Sequence, residues 1–197
     1  MIRSFVTVSF ALFAGSALAV TAGTAAPDFS IADSNGKTVK LSDYKGKFVV
    51  LEWTNPECPF VRAQYGADAM QALQKEAGAK EVVWLTVNST NKSSSEYKTG
   101  PQMNAWMKEK NAAQKAILID ASSDAGRAYD AKTTPHMFVI DPAGKIVYAG
   151  AIDDKRSARE SDRKTANNYV RAALGETLAG KPVTVASTTP YGCSVKY

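Results

Sequence analysis

Two cysteines and one histidine, Cys58, Cys193 and His136, are the side chains of this 197-residue sequence suited to redox, nucleophilic or soft-metal chemistry near neutral pH. Cys58 follows the apolar run Phe48-Val49-Val50-Leu51 and opens a segment with helical spacing, so it is expected where a buried strand gives way to a helix. The first turn of a helix offers unpaired N–H groups and the positive end of the dipole, which favour a thiolate over a thiol. Pro59 fits that turn, where its missing N–H costs nothing. Glu57 opposes the thiolate, and Arg62, one turn on, offsets it in part. A buried structural cysteine is the competing reading of the same pattern.

The compartment decides how the second cysteine is read. Arg3, the apolar run from Phe5 to Leu18 and the motif Ala17-Leu18-Ala19 form a secretory signal peptide over residues 1–19, too short to span a bilayer comfortably and followed by no stop-transfer segment. The mature protein is therefore expected to be periplasmic or secreted, with no stable membrane insertion after cleavage. One domain over residues 20–182 and a tail over 183–197 carrying Cys193 account for the remainder. An exported protein can keep disulfides, and an even pair invites a bond between Cys58 and Cys193. Two cysteines in a chain of this length are not a disulfide scaffold, so chemistry explains them more economically. A formal net charge of +5, with basic residues scattered among acidic ones, gives no basic stripe and excludes a nucleic-acid surface.

The elements that would position these residues alternate. Residues 27–41 read as a hairpin around Asn35-Gly36. Residues 47–54, 81–87 and 116–120 read as buried strands. Helices are expected from Phe60 to about Ala77, ending at Gly78, from Pro101 through Met103 and Met107, over 123–129, and through Tyr169 to Leu178. Thr133-Thr134-Pro135-His136 precedes the strand Met137-Phe138-Val139-Ile140, with Pro135 marking its beginning, and Lys145 to Ala149 returns antiparallel. The charged run from Asp153 to Lys164 reads as a solvated loop, and the tail as mobile enough for Cys193 to reach another part of the surface. Together these give an α/β sandwich with a mixed sheet.

A strand, a cysteine opening the next helix and a Thr-Pro before a later strand resemble the thioredoxin fold, a three-layer sandwich with helices on both faces of a mixed central sheet. Ala26-Pro27-Asp28-Phe29 with Leu41-Ser42-Asp43-Tyr44-Lys45-Gly46-Lys47 resembles the entry segment of the AhpC/TSA (peroxiredoxin) and TlpA-like branch, and the runs Asn55 to Val61, Thr134 to Asp141, Gly150 to Asp154 and Tyr191 to Tyr197 are similar, in that order, to peroxiredoxin-like exported redoxins. The resemblance implies a thiol-dependent oxidoreductase: Cys58 as nucleophile, Cys193 as resolving cysteine, and a cis Pro135 against the active cysteine. Thr54, Pro59, Thr134, Pro135 and His136 would support the site, with His136 as proton donor or acceptor.

No cofactor and no metal are implied. The partners would be a disulfide-bearing protein or a small peroxide, and a thiol reductant. Two departures bear on the activity. Val61 stands three residues after Cys58, so no C-x-x-C dithiol forms, and Leu51 and Asn55 replace the Pro and Thr of the peroxiredoxin signature, with Thr54 one position off. Two other readings use the same residues: a copper-binding protein holding the ion with Cys58, Cys193 and His136, and a binding module clamped by a permanent Cys58–Cys193 disulfide.

Overall fold

The computed structural model describes residues 20–197; the expected signal peptide lies outside them. A hairpin of β1 (Ser30–Ala32) and β2 (Thr38–Lys40) leads into β3 (Val49–Trp53), whose five residues are all buried. Helices α1 (Pro59–Gly66) and α2 (Ala69–Gly78) precede β4 (Val83–Asn88), α3 (Gly100–Glu109), β5 (Ala116–Ile119) and α4 (Asp124–Ala128). Then come β6 (Thr133–Thr134), β7 (His136–Ile140), β8 (Ile146–Gly150), α5 (Tyr169–Leu178) and β9 (Cys193–Ser194).

The central sheet has the order β5-β4-β3-β7-β8. β3, β4 and β5 run parallel, while β7 and β8 add antiparallel strands on the other side. Alternation along β3 and β7 sends side chains to two cores. Val50, Met137 and Val139 pack with Val61, Tyr65, Leu73, Met103, Val170 and Leu174 from α1, α2, α3 and α5. Leu51, Trp53, Phe138 and Ile140 pack on the other face with Ile31 and Val39 of the hairpin, Ala125 of α4 and Tyr129 just beyond it. This is the expected three-layer, thioredoxin-like sandwich. The apolar strands buried on both faces made the sheet predictable.

Two local expectations need correction. The helix expected to run unbroken from Phe60 to Ala77 divides between Gly66 and Ala69, because Asp68 takes a left-handed φ of 55°. Gly66 sits where α1 meets the turn at residues 160–165, and a Cβ there would lie 2.1 Å from Glu160 Oε1. The charged run from Asp153 to Lys164 is not simply a solvated loop. The side chains of Asp153 and Arg163 are each 2% exposed and form an ion pair of 2.8 Å.

Candidate active site

Cys58 is the N-cap of α1, with extended backbone angles (φ −75°, ψ 120°) and Pro59 in the first turn. Its carbonyl accepts the bond from Arg62 N at 2.9 Å, and its own N–H bonds Asn55 O at 3.0 Å. The helix therefore starts where the sequence placed it. The cysteine is 1% exposed, among Val61, Tyr65 and Met137. Its Sγ donates to the carbonyl of Thr134 at 3.0 Å, and the Thr134–Pro135 peptide is cis.

The tail reaches the same spot. β9 pairs antiparallel with β6, with Cys193 opposite Thr134 and Ser194 opposite Thr133. Gly192 precedes this pair with φ 140°, and a Cβ there would lie 2.0 Å from Thr134 O, the atom that receives the Cys58 thiol. Only glycine lets the tail approach so closely. Both cysteines are free thiols, Cys58 buried and Cys193 half-buried. Burial, and then the adjacent Cys58 sulfur, push the Cys193 thiol up to about 12. The tail expected to be mobile is tied down beyond Cys193. Asn91 N bonds Lys196 O at 2.7 Å, Val195 N bonds Lys132 O at 3.2 Å, and Tyr197 OH donates to Ala131 O at 2.6 Å beneath the Arg127 guanidinium.

The charges around Cys58 are more balanced than the sequence indicated. Glu57 pairs with Lys98 at 2.7 Å as well as with Arg62. The hydrogen bond from Lys98 is the main cause that holds the Glu57 carboxyl below its ordinary range, with Arg62 adding to it. Arg62 also donates from Nε to Pro56 O at 2.7 Å, so its guanidinium is committed to the turn. Glu96 joins the turn to the tail, accepting from Asn55 Nδ2 at 2.6 Å and lying 3.4 Å from Lys196 Nζ.

Of the residues expected to support the site, Thr134 accepts the Cys58 thiol on its carbonyl, Pro135 follows it across the cis peptide, and Pro59 opens the Cys58 helix. Thr54 is buried just before the turn, its N–H bonded to Val87 O at 2.9 Å and its Oγ1 without a partner among the described residues. His136 is not brought to the thiol. It alternates with Met137 along β7 and packs at a tilt against Phe138, with ring centroids 4.5 Å apart, on the face of the sheet opposite Cys58. Its Nδ1 accepts from Lys132 N at 3.3 Å, and burial pushes its pKa down to about 4. The three ligands of the copper reading are thus not assembled. Among the described residues no group of three His, Cys, Asp or Glu side chains could hold a metal ion, and no helix is long and apolar enough to cross a membrane.

The sequence reading missed one buried group on the Cys58 face. Glu52 in β3 is fully buried and accepts from Trp84 Nε1 at 2.8 Å, Tyr65 OH at 2.9 Å, and Thr86 Oγ1 and Gln74 Nε2 at 3.2 Å each. Desolvation outweighs these four donors and raises its pKa to about 7. The signal that could have found it was a lone carboxylate inside a strand otherwise apolar on both faces.

Two thiols brought side by side at the end of a thioredoxin-like sheet define a thiol-dependent oxidoreductase. The chain belongs to the AhpC/TSA family, whose model matches residues 22–149. It is similar to the thiol-disulfide oxidoreductase ResA of Bacillus subtilis, 28% identical over 72% of this chain and 73% of that protein. The thioredoxin-like protein YneN of the same organism is 30% identical over 71% of this chain and 78% of its own length. Among solved structures, an uncharacterized conserved protein from Geobacillus kaustophilus superposes with a TM-score of 0.78 at 27% identity, covering 91% of this chain and 94% of that one.

Proposed function

We propose that the protein is an exported thiol-disulfide oxidoreductase in which Cys58 is the nucleophile and Cys193 the resolving cysteine, acting outside the cytoplasm on disulfide-bearing partners. One observation carries this reading: the β6–β9 pair lays Cys193 opposite Thr134, whose carbonyl receives the Cys58 thiol. In the first step the Cys58 thiolate attacks one sulfur of a substrate disulfide; that S–S bond breaks and the other sulfur leaves as a thiolate. Cys193 then gives up its proton to the leaving sulfur or to water and attacks Cys58 Sγ. The second substrate thiol departs and a Cys58–Cys193 disulfide remains. An external thiol reductant returns the two electrons by the reverse exchange.

Disulfide exchange is favoured over peroxide reduction by what surrounds the sulfur. Leu51 and Asn55 stand where the family places Pro and Thr, and Arg62 is held by Pro56 O and Glu57. Cys58 is the less accessible of the two sulfurs, at 1% exposure, which by itself favours neither a protein disulfide nor a small peroxide while the tail is in place. A macromolecular substrate therefore requires the 191–197 tail to move aside before it reaches Cys58, and in the oxidised protein Cys193 presents the more open sulfur to a reductant. Periplasmic or secreted placement is supported by the residue 1–19 pattern.

The test uses Cys193→Ser. With a disulfide substrate, the variant accumulates a mixed disulfide on Cys58 that the wild type resolves, and turnover stops after one equivalent. If the variant turns over at the wild-type rate, Cys193 is not the resolving cysteine. If rapid mixing shows peroxide oxidising wild-type Cys58 far faster than disulfides do, the substrate assignment is wrong.

A further inference from the structure

The resolving step requires Cys193 to meet Cys58 repeatedly, and a second buried cluster couples the tail to the helix that Cys58 opens. Asp153, beyond β8, receives Arg163 Nη1 at 3.1 Å on Oδ1 and 2.8 Å on Oδ2. Arg163 Nη1 also donates to Tyr191 OH at 2.9 Å, and Nη2 donates to the carbonyls of Lys155 at 2.9 Å and Ser157 at 3.0 Å. The Tyr191 hydroxyl in turn donates to Asp153 Oδ1, and Gln64 Nε2 of α1 donates to Asp153 Oδ2 at 2.7 Å. The Tyr191 ring packs edge-on against Phe60, also of α1, with centroids 5.8 Å apart. Tyr191 is 5% exposed and stands two residues before Cys193.

A buried ion pair adds little net stability, because desolvation offsets the attraction. What this one does supply is a fixed point. Asp153 is bonded at once by the Cys58 helix, through Gln64, and by the tail, through Tyr191. We propose that Tyr191, held by Asp153 and Arg163, is a positioning residue for the resolving step, latching the tail so that the Cys193 thiol is presented to Cys58 at high effective concentration. This inference rests on the pairing of Cys58 with Cys193 in the proposed function. It assigns a role to the Gly150–Asp154 and Tyr191–Tyr197 runs, which meet through the Asp153–Tyr191 bond.

The test is the thiol-disulfide equilibrium of the whole mature protein in glutathione buffers of graded ratio, with the fraction of Cys58–Cys193 disulfide read by mass spectrometry. Tyr191→Phe keeps the ring on Phe60 and removes only the hydroxyl. Its effective concentration of Cys193 at Cys58 is expected to fall at least fivefold. First modification of Cys58 by glutathione disulfide, measured in a Cys193→Ser background, should proceed at least as fast with Tyr191→Phe as without it, because the tail that covers Cys58 is held less firmly. A purely structural role would weaken reduced and oxidised forms equally and leave the equilibrium where it was. Gln64→Met, which removes the bond from α1 to the same carboxylate, should lower the equilibrium in the same direction and serves if Tyr191→Phe does not fold. A folded Tyr191→Phe or Gln64→Met protein with a wild-type equilibrium overturns the latch. A wild-type protein that forms no Cys58–Cys193 bond at any ratio overturns the functional reading instead.

Discussion

Replacing Glu52 with Gln should change how stability depends on pH, and the wild-type profile alone would conceal it. The Glu52 carboxyl has a pKa near 7 in the fold against an ordinary 4.5, chiefly because it is fully desolvated. Between those values the folded state binds the proton that the unfolded state has lost, so stability falls as pH rises. At 1.36 kcal/mol per pH unit the loss is about 3 kcal/mol, complete above pH 7. His136 acts oppositely. Its pKa falls from 6.5 to about 4 on burial, so the unfolded state binds the extra proton and stability rises with pH between those values. That gain is again about 3 kcal/mol. The two nearly cancel, which predicts a flat wild-type profile from this pair. The assay is urea unfolding of the reduced protein at pH 4.5, 5.5, 6.5 and 7.5 for wild type, Glu52→Gln and His136→Asn. Lost contacts give each variant a constant offset, so the informative quantity is the difference from wild type as a function of pH. It should climb by about 3 kcal/mol for Glu52→Gln, and fall by most of that amount for His136→Asn. A Glu52→Gln difference that stays level within about 1 kcal/mol across the range would refute the assignment of a neutralised carboxyl to β3.

Gly192→Ala should detach the tail rather than unfold the sheet, since its Cβ would meet Thr134 O and its φ of 140° suits only glycine. A strain of about 1–3 kcal/mol is relieved by that release, and maleimide should label Cys193 at least tenfold faster than in wild type; unchanged labelling would mean the tail does not depend on this approach. Lys98→Gln leaves Glu57 with Arg62 alone, so the reaction of Cys58 with an anionic disulfide should slow severalfold at low salt and recover towards the wild-type rate at high salt. A salt-independent effect, or none, would separate Lys98 from the electrostatics of the turn. Arg163→Met strands the Asp153 carboxylate in the interior and should cost about 3–5 kcal/mol in urea unfolding, whereas a loss below 1 kcal/mol would show that Asp153 finds water.

The parts of the fold that follow from local pattern were legible. β3 and β4 are apolar runs buried by neighbours on both faces, and Pro59 after Cys58 marks a helix start whatever surrounds it. The contacts made across the chain were not. The break at Asp68 had one local signal, Gly66, which a helix interior can also tolerate; its packing against Glu160 is a contact across the chain. The run from Asp153 to Lys164 has the composition of a solvated loop, and two of its charges turn inward to meet each other and distant partners, Gln64 and Tyr191. The position of His136 was recoverable. Period-two alternation puts it with Phe138 and away from Met137, and the Cys58 helix packs on the Met137 side. Its closeness to Pro135 in sequence suggested the thiol, but the pleat of β7 sends it to the other face.

The claim on which the rest depends is that Cys58 and Cys193 are a cycling pair within this fold. Peptide-mapping mass spectrometry of the mature protein, alkylated after equilibration in reducing and then in oxidising glutathione buffer, measures it most directly. Two alkylated cysteines are expected in the first sample. In the second a peptide cross-linked between Cys58 and Cys193 is expected, lighter by two hydrogens and restored to the dithiol on reduction. Persistent separate glutathione adducts on the two cysteines, or a cross-link that glutathione never opens, would contradict it.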